Sequence, residues 1–308
     1  MWLIDNIFDE AAQRELAKGS VVAVGAFDGI HWGHRLIIGE LRRIACEEKL
    51  ISLVITFDPH PREVLNPDGR PFLITTLEEK LEILEDLGIE AVAVVPFGGI
   101  SSLSPEEFVR RYMIEGAHAR CVVAGYNHTF GRGGAGNVAS LKVFGREIGY
   151  KLLVVPPFTL NGEIISSTKV RESIAAGDVE LANSLLGRRY SLRGEVVKGV
   201  GRGRALGFPT ANLRVRKMKL LPKDGVYSVI ADVGGSSLSG IMNIGFRPTF
   251  GGDVHTVEVH IIGFSGDLYG SELKVELVSY LRDEMPFQDV DMLKLQIAED
   301  RKRAMISL

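Results

Sequence analysis

The rhythm of the apolar residues changes once along this chain, near Gly187, and that change requires two different architectures. Before it, β-rich apolar runs alternate with helical patterns, the signature of a parallel sheet covered by helices. After it, apolar and polar residues alternate with period two, the signature of antiparallel strands with one face buried. A chain of 308 residues is also longer than one hydrophobic core commonly serves. Two domains are therefore expected, 1–187 and 188–308, with the boundary inside Leu186 to Tyr190.

In the first part, residues 21–27 read as the first strand. Leu36, Ile37, Leu41, Ile44 and Ala45 then form one helical stripe, and residues 51–57 return to a β run, which completes a βαβ unit. Thr75 and Glu78 have capping-box spacing ahead of Leu77, Leu81 and Leu84, and Gly88 supplies a stop before a strand at 89–95. Ser104, Pro105 and Glu107 announce another helix, and further β runs lie at 120–124 and 151–155. The expected class for this part is α/β, a doubly wound parallel sheet. In the second part, strands are expected at 190–197, 225–233, 236–244, 254–262 and 272–278, followed by a helix at 290–304. A small antiparallel β-barrel with one closing helix leaves no raw sheet edge, so the second part is read as all-β.

Composition bounds the function. With 45% hydrophobic and 24% charged residues the chain is an ordinary globular protein, and a net charge of -3 supplies no global field for nucleic acid or an anionic membrane. Cys46 and Cys121 are far apart and read as inert buried thiols, not a disulfide or zinc framework. Met1 to Glu15 lacks the basic-then-apolar order of a signal peptide, and no apolar run is long enough to span a bilayer. A cytoplasmic location is expected.

The first chemical site is Gly25-Ala26-Phe27-Asp28-Gly29-Ile30-His31-Trp32-Gly33-His34, at a strand-to-helix turn. Glycines there let backbone approach a ligand, the helix start offers N–H groups to phosphate, and two histidines three apart add donors for developing charge. Metal ligation is the weaker alternative, since no acidic or thiol cluster accompanies the pair. The pair resembles the H-x-G-H signature of the nucleotidyltransferase superfamily, and Ile165-Ser166-Ser167-Thr168-Lys169-Val170-Arg171 resembles its second element. Together with Thr56-Phe57-Asp58-Pro59-His60-Pro61 these segments resemble prokaryotic FMN adenylyltransferase. The resemblance implies that His31 and His34 stabilise ATP phosphates, that Gly25, Phe27, Asp28 and Gly29 belong to the nucleotide site, and that Ser167, Thr168 and Arg171 complete it, the two segments converging in space. It also implies flavin contacts at Asn127 and Phe130, within Gly125 to Gly131, where His128 departs from the family's usual aromatic. The glycine series Gly131, Gly133, Gly134 and Gly136 reads as a loop.

The second site is Gly199 to Asn212, a glycine-rich basic loop that lacks the Gly-Lys-Ser/Thr of a Walker A motif. Its glycines, Gly201, Gly203 and Gly207 among them, could cradle phosphate, and Thr210 and Asn212 offer oxygen ligands to Mg²⁺. Gly207-Phe208-Pro209-Thr210-Ala211-Asn212 resembles the hallmark of riboflavin kinase, and the resemblance continues through Asn243-Ile244-Gly245 and Asp267-Leu268-Tyr269-Gly270. It implies that Glu258 is the catalytic glutamate and that Arg282 contacts flavin. Glu258 and His260 share one side of a strand, with Val257 and Val259 on the other.

Taken together, the resemblance implies two reactions on small molecules, riboflavin phosphorylation to FMN and FMN adenylylation to FAD, each with ATP and Mg²⁺. A first module with another acceptor, and a flavin-binding protein without turnover, are the alternatives.

Overall fold

The computed structural model describes residues 1–67, 69–70, 72–199, 203, 206–249 and 252–306. Two compact units emerge, Met1–Arg70 with Thr75–Ser166, and Pro71–Ile74 with Ser167–Leu308.

The first unit contains β1 (Trp2–Ile4), α1 (Glu10–Leu16), β2 (Ser20–Val24), α2 (Trp32–Glu48), β3 (Ile51–Phe57), α3 (Pro61–Leu65), α4 (Leu77–Asp86) and β4 (Ala91–Val95). It continues with α5 (Pro105–Phe108), which runs into a π-helical segment at Val109–Gly116, then β5 (Ala119–Gly125), β6 (Thr129–Phe130), β7 (Gly136–Asn137), α6 (Val138–Ile148), β8 (Lys151–Val155), β9 (Thr159–Leu160) and β10 (Glu163–Ile164). The main sheet is parallel in the order β1-β4-β3-β2-β5-β8.

Strand alternation divides the core into two layers. Val22, Val24, Leu53, Ile55, Ala91 and Val122 face α1, the α5 region and α6. Val21, Ala23, Val54, Val92, Cys121 and Val123 face α2 and α4. Both faces are buried, which is why these strands read as continuous apolar runs.

Three local expectations are corrected. The strand expected at 21–27 ends at Val24, α2 starts at Trp32, and a short edge strand, β1, precedes both. The capping box of α4 is Thr76 with Glu79, one residue beyond Thr75 and Glu78, and Thr75 is used elsewhere. Cys121 is buried, but Cys46 is exposed, about 100° around α2 from buried Ala45. Gly131, Gly133 and Gly134 of the glycine series connect the two-residue strands β6 and β7 in a hairpin, and Gly136 opens β7.

The second unit contains α7 (Ser167–Ala176), α8 (Val179–Leu186), β11 (Ser191–Val197), β12 (Ala211–Val215), β13 (Gly225–Val233), β14 (Ser236–Thr249), β15 (Gly252–Ile261), β16 (Glu272–Arg282) and α9 (Val290–Ile306). Its six strands close into a barrel, β11-β12-β15-β14-β13-β16. The expected strands are present, and β12, read as part of a loop, is added. Ile297 and Ala304 of α9 pack on Val226, Ile241 and Leu281. Residues 72–74 join this unit: Leu73 bridges Lys219, and the buried Lys219 amine donates to the Ile74 carbonyl at 2.8 Å.

Candidate functional site

In the first unit, the chain order along the sheet reverses between β2 and β5, and ligands of open α/β sheets bind beyond the carboxyl ends of the strands at such a point. The turn after β2 carries residues 25–34, and the turn after β5 carries residues 126–128, so the predicted nucleotide and flavin loops share this edge.

The first turn is contorted. Phe27, Gly29 and Ile30 have φ of 47°, 86° and 39°, and Gly29 is the residue type that adopts this region without a Cβ penalty. Thr75 fastens it: its hydroxyl accepts from Gly29 N–H at 3.0 Å, and its N–H donates to the Asp28 carboxylate at 2.9 Å. Thr56, at the end of β3, lies 3.4 Å from the Ala26 carbonyl and accepts from buried Lys80 at 3.1 Å. Gly25 N–H donates to Ile55 O at 3.0 Å. His31 is the N-cap residue of α2 and spends no side-chain bond on the cap. Its ring stacks on His34 with centroids 3.8 Å apart, and the edge of Phe27 meets His34 at 5.3 Å.

In the second turn Asn127 is exposed, while Phe130 is buried in the core beside Phe108 and stacks on His128 at 5.5 Å. Burial pushes the His128 imidazole down to about 4, so this half-buried ring is uncharged at neutral pH and offers a flat face much as an aromatic would. The resemblance-based role of Phe130 as a flavin contact thus meets a ring that supports His128 from the core.

In the second unit, a cavity of ≈ 260 Å³ lies beside β14, β15 and α9. Its polar groups include Thr210, Asn243, Glu258, His260 and Arg282, and its apolar wall includes Ile241, Met285, Phe287, Leu293 and Ile297. The register of β12 against β15 sets Asn212 opposite Glu258, and Thr210 Oγ1 lies 3.4 Å from Glu258 Oε2. Gly203 presses on this corner, where a Cβ would overlap the Phe208 carbonyl and touch the Thr210 side chain. Gly207 has a φ of 85°, and Gly201 lies outside the described residues. Arg282 forms a bidentate pair with Asp300, with Nε 3.1 Å from Oδ1 and Nη2 2.8 Å from Oδ2. Gln296 supports Asp300 at 2.9 Å.

Two family patterns match this chain, one described as FAD synthetase over residues 13–169 and one described as riboflavin kinase over residues 186–308. The chain is 40% identical over 299 residues to a bifunctional riboflavin kinase/FMN adenylyltransferase of Bacillus subtilis, covering 95% of this chain and 93% of the relative. The chain belongs to this bifunctional family. The Escherichia coli K12 member is 36% identical over 289 residues, 93% of this chain and 92% of that protein. A crystal structure described as a macrolide-efflux protein from Streptococcus pneumoniae superposes with a TM-score of 0.87 at 32% identity, covering 98% of both chains. The efflux description concerns that protein; among the described residues here no helix is long and apolar enough to cross a membrane.

Within the riboflavin kinase/FMN adenylyltransferase family, the first unit carries the FAD synthetase part and the barrel carries the riboflavin kinase part. Both activities use ATP. Ser167, Thr168 and Arg171 lie on the first turns of α7 in the second unit, where Arg171 Nε donates to the Phe72 carbonyl at 2.8 Å. Sequence reasoning missed Thr75 as the fastener of the Asp28–Gly29 turn and Asp300 as the partner of Arg282. Thr75 carried a misleading signal, its capping-like spacing, and Asp300 carried none, since an acid on a terminal helix reads as solvated.

Proposed function

We propose that this chain converts riboflavin to FMN in its barrel and FMN to FAD in its first unit, consuming one ATP at each step. The observation that carries the reading is the pairing of Asn212 with Glu258 and the approach of Thr210 to the same carboxylate, at the polar end of a cavity with an apolar wall.

Phosphoryl transfer needs little covalent help beyond a proton acceptor and aligned charge stabilisation. Glu258 is proposed to take the proton of the attacking ribityl hydroxyl as that oxygen bonds to the γ-phosphorus and ADP departs. The apolar wall would hold the flavin ring system, and Arg282, oriented by Asp300, would contact it. Gly203 and Gly207 would bring backbone close to phosphate, with Gly201 in the same role.

Among the described residues no cluster of three or more His, Cys, Asp or Glu is disposed to hold a metal. The hard oxygens of Thr210 and Asn212 suit an ion that takes few protein ligands and keeps waters and phosphates, which is the habit of Mg²⁺. Bound there, Mg²⁺ would offset phosphate charge.

In the first unit the acceptor is the FMN phosphate, already ionised, so no base is required. Its oxygen attacks the α-phosphorus of ATP and pyrophosphate leaves. His31 and His34 are proposed to stabilise the phosphate charge, with Gly25, Phe27, Asp28 and Gly29 shaping the nucleotide loop. Ser167, Thr168 and Arg171 are proposed as further triphosphate contacts, and Asn127, Phe130 and His128 as the flavin side. A domain boundary at 187/188 and work in the cytoplasm, where ATP is at hand, complete the proposal, with no nucleic-acid or membrane partner.

A timed chromatographic assay with riboflavin, ATP and Mg²⁺ tests the reading. FMN appearing first and FAD second supports it. No product, with flavin merely retained, would favour the binding protein. Glu258→Gln should lower FMN formation by about 10²–10⁴-fold while supplied FMN is still adenylylated.

A further inference from the structure

We propose that His260 is a positioning residue of the kinase step, holding Thr210 against Glu258 through the Pro209 carbonyl; the inference rests on the kinase reading of the barrel. The ladder between β12 and β15 runs through Leu213–Val257, Asn212–Glu258 and Ala211–Val259. In this register Thr210 would come opposite His260 and Pro209 opposite Ile261. Pro209 has no N–H, so backbone pairing cannot run on through it.

A side chain takes over where the ladder stops. His260 Nδ1 lies 2.8 Å from the Pro209 carbonyl oxygen. A carbonyl only accepts, so Nδ1 carries the proton and Nε2 keeps the lone pair. The residue is 7% exposed, and Nε2 is buried with no hydrogen-bond partner among the described residues. Burial favours the neutral ring, the Arg301 charge adds to this, and the Pro209 bond opposes it. The edge of Phe208 meets the imidazole at 5.6 Å, and Phe208 N–H is itself tied to Gly203 O at 2.8 Å.

The consequence falls on Thr210. With φ of Pro209 locked by its ring and its carbonyl anchored by His260, the next residue has little freedom, and its Oγ1 stands 3.4 Å from Glu258 Oε2. A histidine serving packing alone would have no need to aim Nδ1 at the Pro209 carbonyl. What this one supplies is an N–H at a fixed point beyond the end of a strand, which a proline sequence cannot obtain from backbone.

The test compares His260→Asn, whose amide N–H can replace Nδ1–H, with His260→Leu and His260→Ala, which cannot donate. In the full-length protein Leu and Ala should lower kcat for FMN formation by about 10²-fold, the loss associated with misplacement of reacting groups, with KM for riboflavin unchanged. Asn should recover most of kcat. In nucleotide-free protein, hydrogen exchange over residues 208–213 should rise in Leu and Ala and stay near wild type in Asn, with the remaining barrel unaltered. FMN adenylylation by the same preparations reports that the chain is intact. An Asn variant as poor as Leu, a loss confined to riboflavin KM, or three variants with unchanged kcat would each overturn the role of His260. A wild-type protein that forms no FMN would instead overturn the kinase reading, and this inference with it.

Discussion

His31 and His34 lie face to face, with ring centroids 3.8 Å apart and planes inclined by 19°. The stack holds both imidazoles at the start of α2, where backbone N–H groups also favour negative charge. Replacing either histidine with Ala should therefore lower conversion of FMN to FAD by about 10²–10³-fold, the loss associated with one charge-stabilising donor. Conversion of riboflavin to FMN should persist. Separate initial rates with each flavin check this, and parallel loss of both activities would contradict two separate sites.

Thr75 is both donor and acceptor in the Asp28–Gly29 turn. Thr75→Val keeps the shape but leaves the buried Gly29 N–H without this partner, a loss of about 1–3 kcal/mol. Urea unfolding should show the decrease, and FMN adenylylation should fall while riboflavin phosphorylation does not.

The Arg282–Asp300 pair is largely withdrawn from water, with side chains 17% and 1% exposed. Asp300→Ala leaves a mostly buried guanidinium unpaired, which costs about 3–5 kcal/mol. Denaturant titration should reveal the loss, and KM for riboflavin should rise as Arg282 loses its orientation. Unchanged stability and KM would remove Asp300 from the account of the cavity.

His128 links flavin-loop packing to pH. Its folded value is pushed down to about 4 from 6.5 by burial, so between these values the unfolded chain binds more protons than the folded one. Stability therefore rises with pH through that window and declines on acidification from about 6.5 toward 4. His128→Phe should flatten this part of the stability profile, measured by urea unfolding at stepped pH, and should retain adenylylation because a flat apolar ring still stacks on Phe130. An unchanged slope would show that another group sets the acid limit.

Much of the fold was legible in the sequence because its signals are local. Residues 51–57 and 151–155 are strands with the predicted bounds: the first is a continuous apolar run in a part of the sheet buried on both faces, and the second is a shorter β-rich run at the sheet edge. The helix start announced by Ser104, Pro105 and Glu107 also stands as read, and in the structure Ser104 and Glu107 form its capping box. β1 escaped notice because three residues are too short to show periodicity, and β12 because Thr210 to Asn212 read as ligands of a loop. Thr75 and Thr76 both precede a helix with an acid three residues on, and local spacing cannot choose between them.

The sequence by itself determined the change of architecture near Gly187 and marked the candidate residues of both sites, since hydrophobic period and motif chemistry are written in neighbouring residues. Only tertiary structure decided the strand order that puts the turns after β2 and β5 on one edge, the register that sets Asn212 opposite Glu258, and the pairs Asp28–Thr75, Arg282–Asp300 and His260–Pro209. These contacts join residues 18 to 51 positions apart in the chain. Their formation depends on which surfaces bury together, and no local pattern in the sequence encodes that choice.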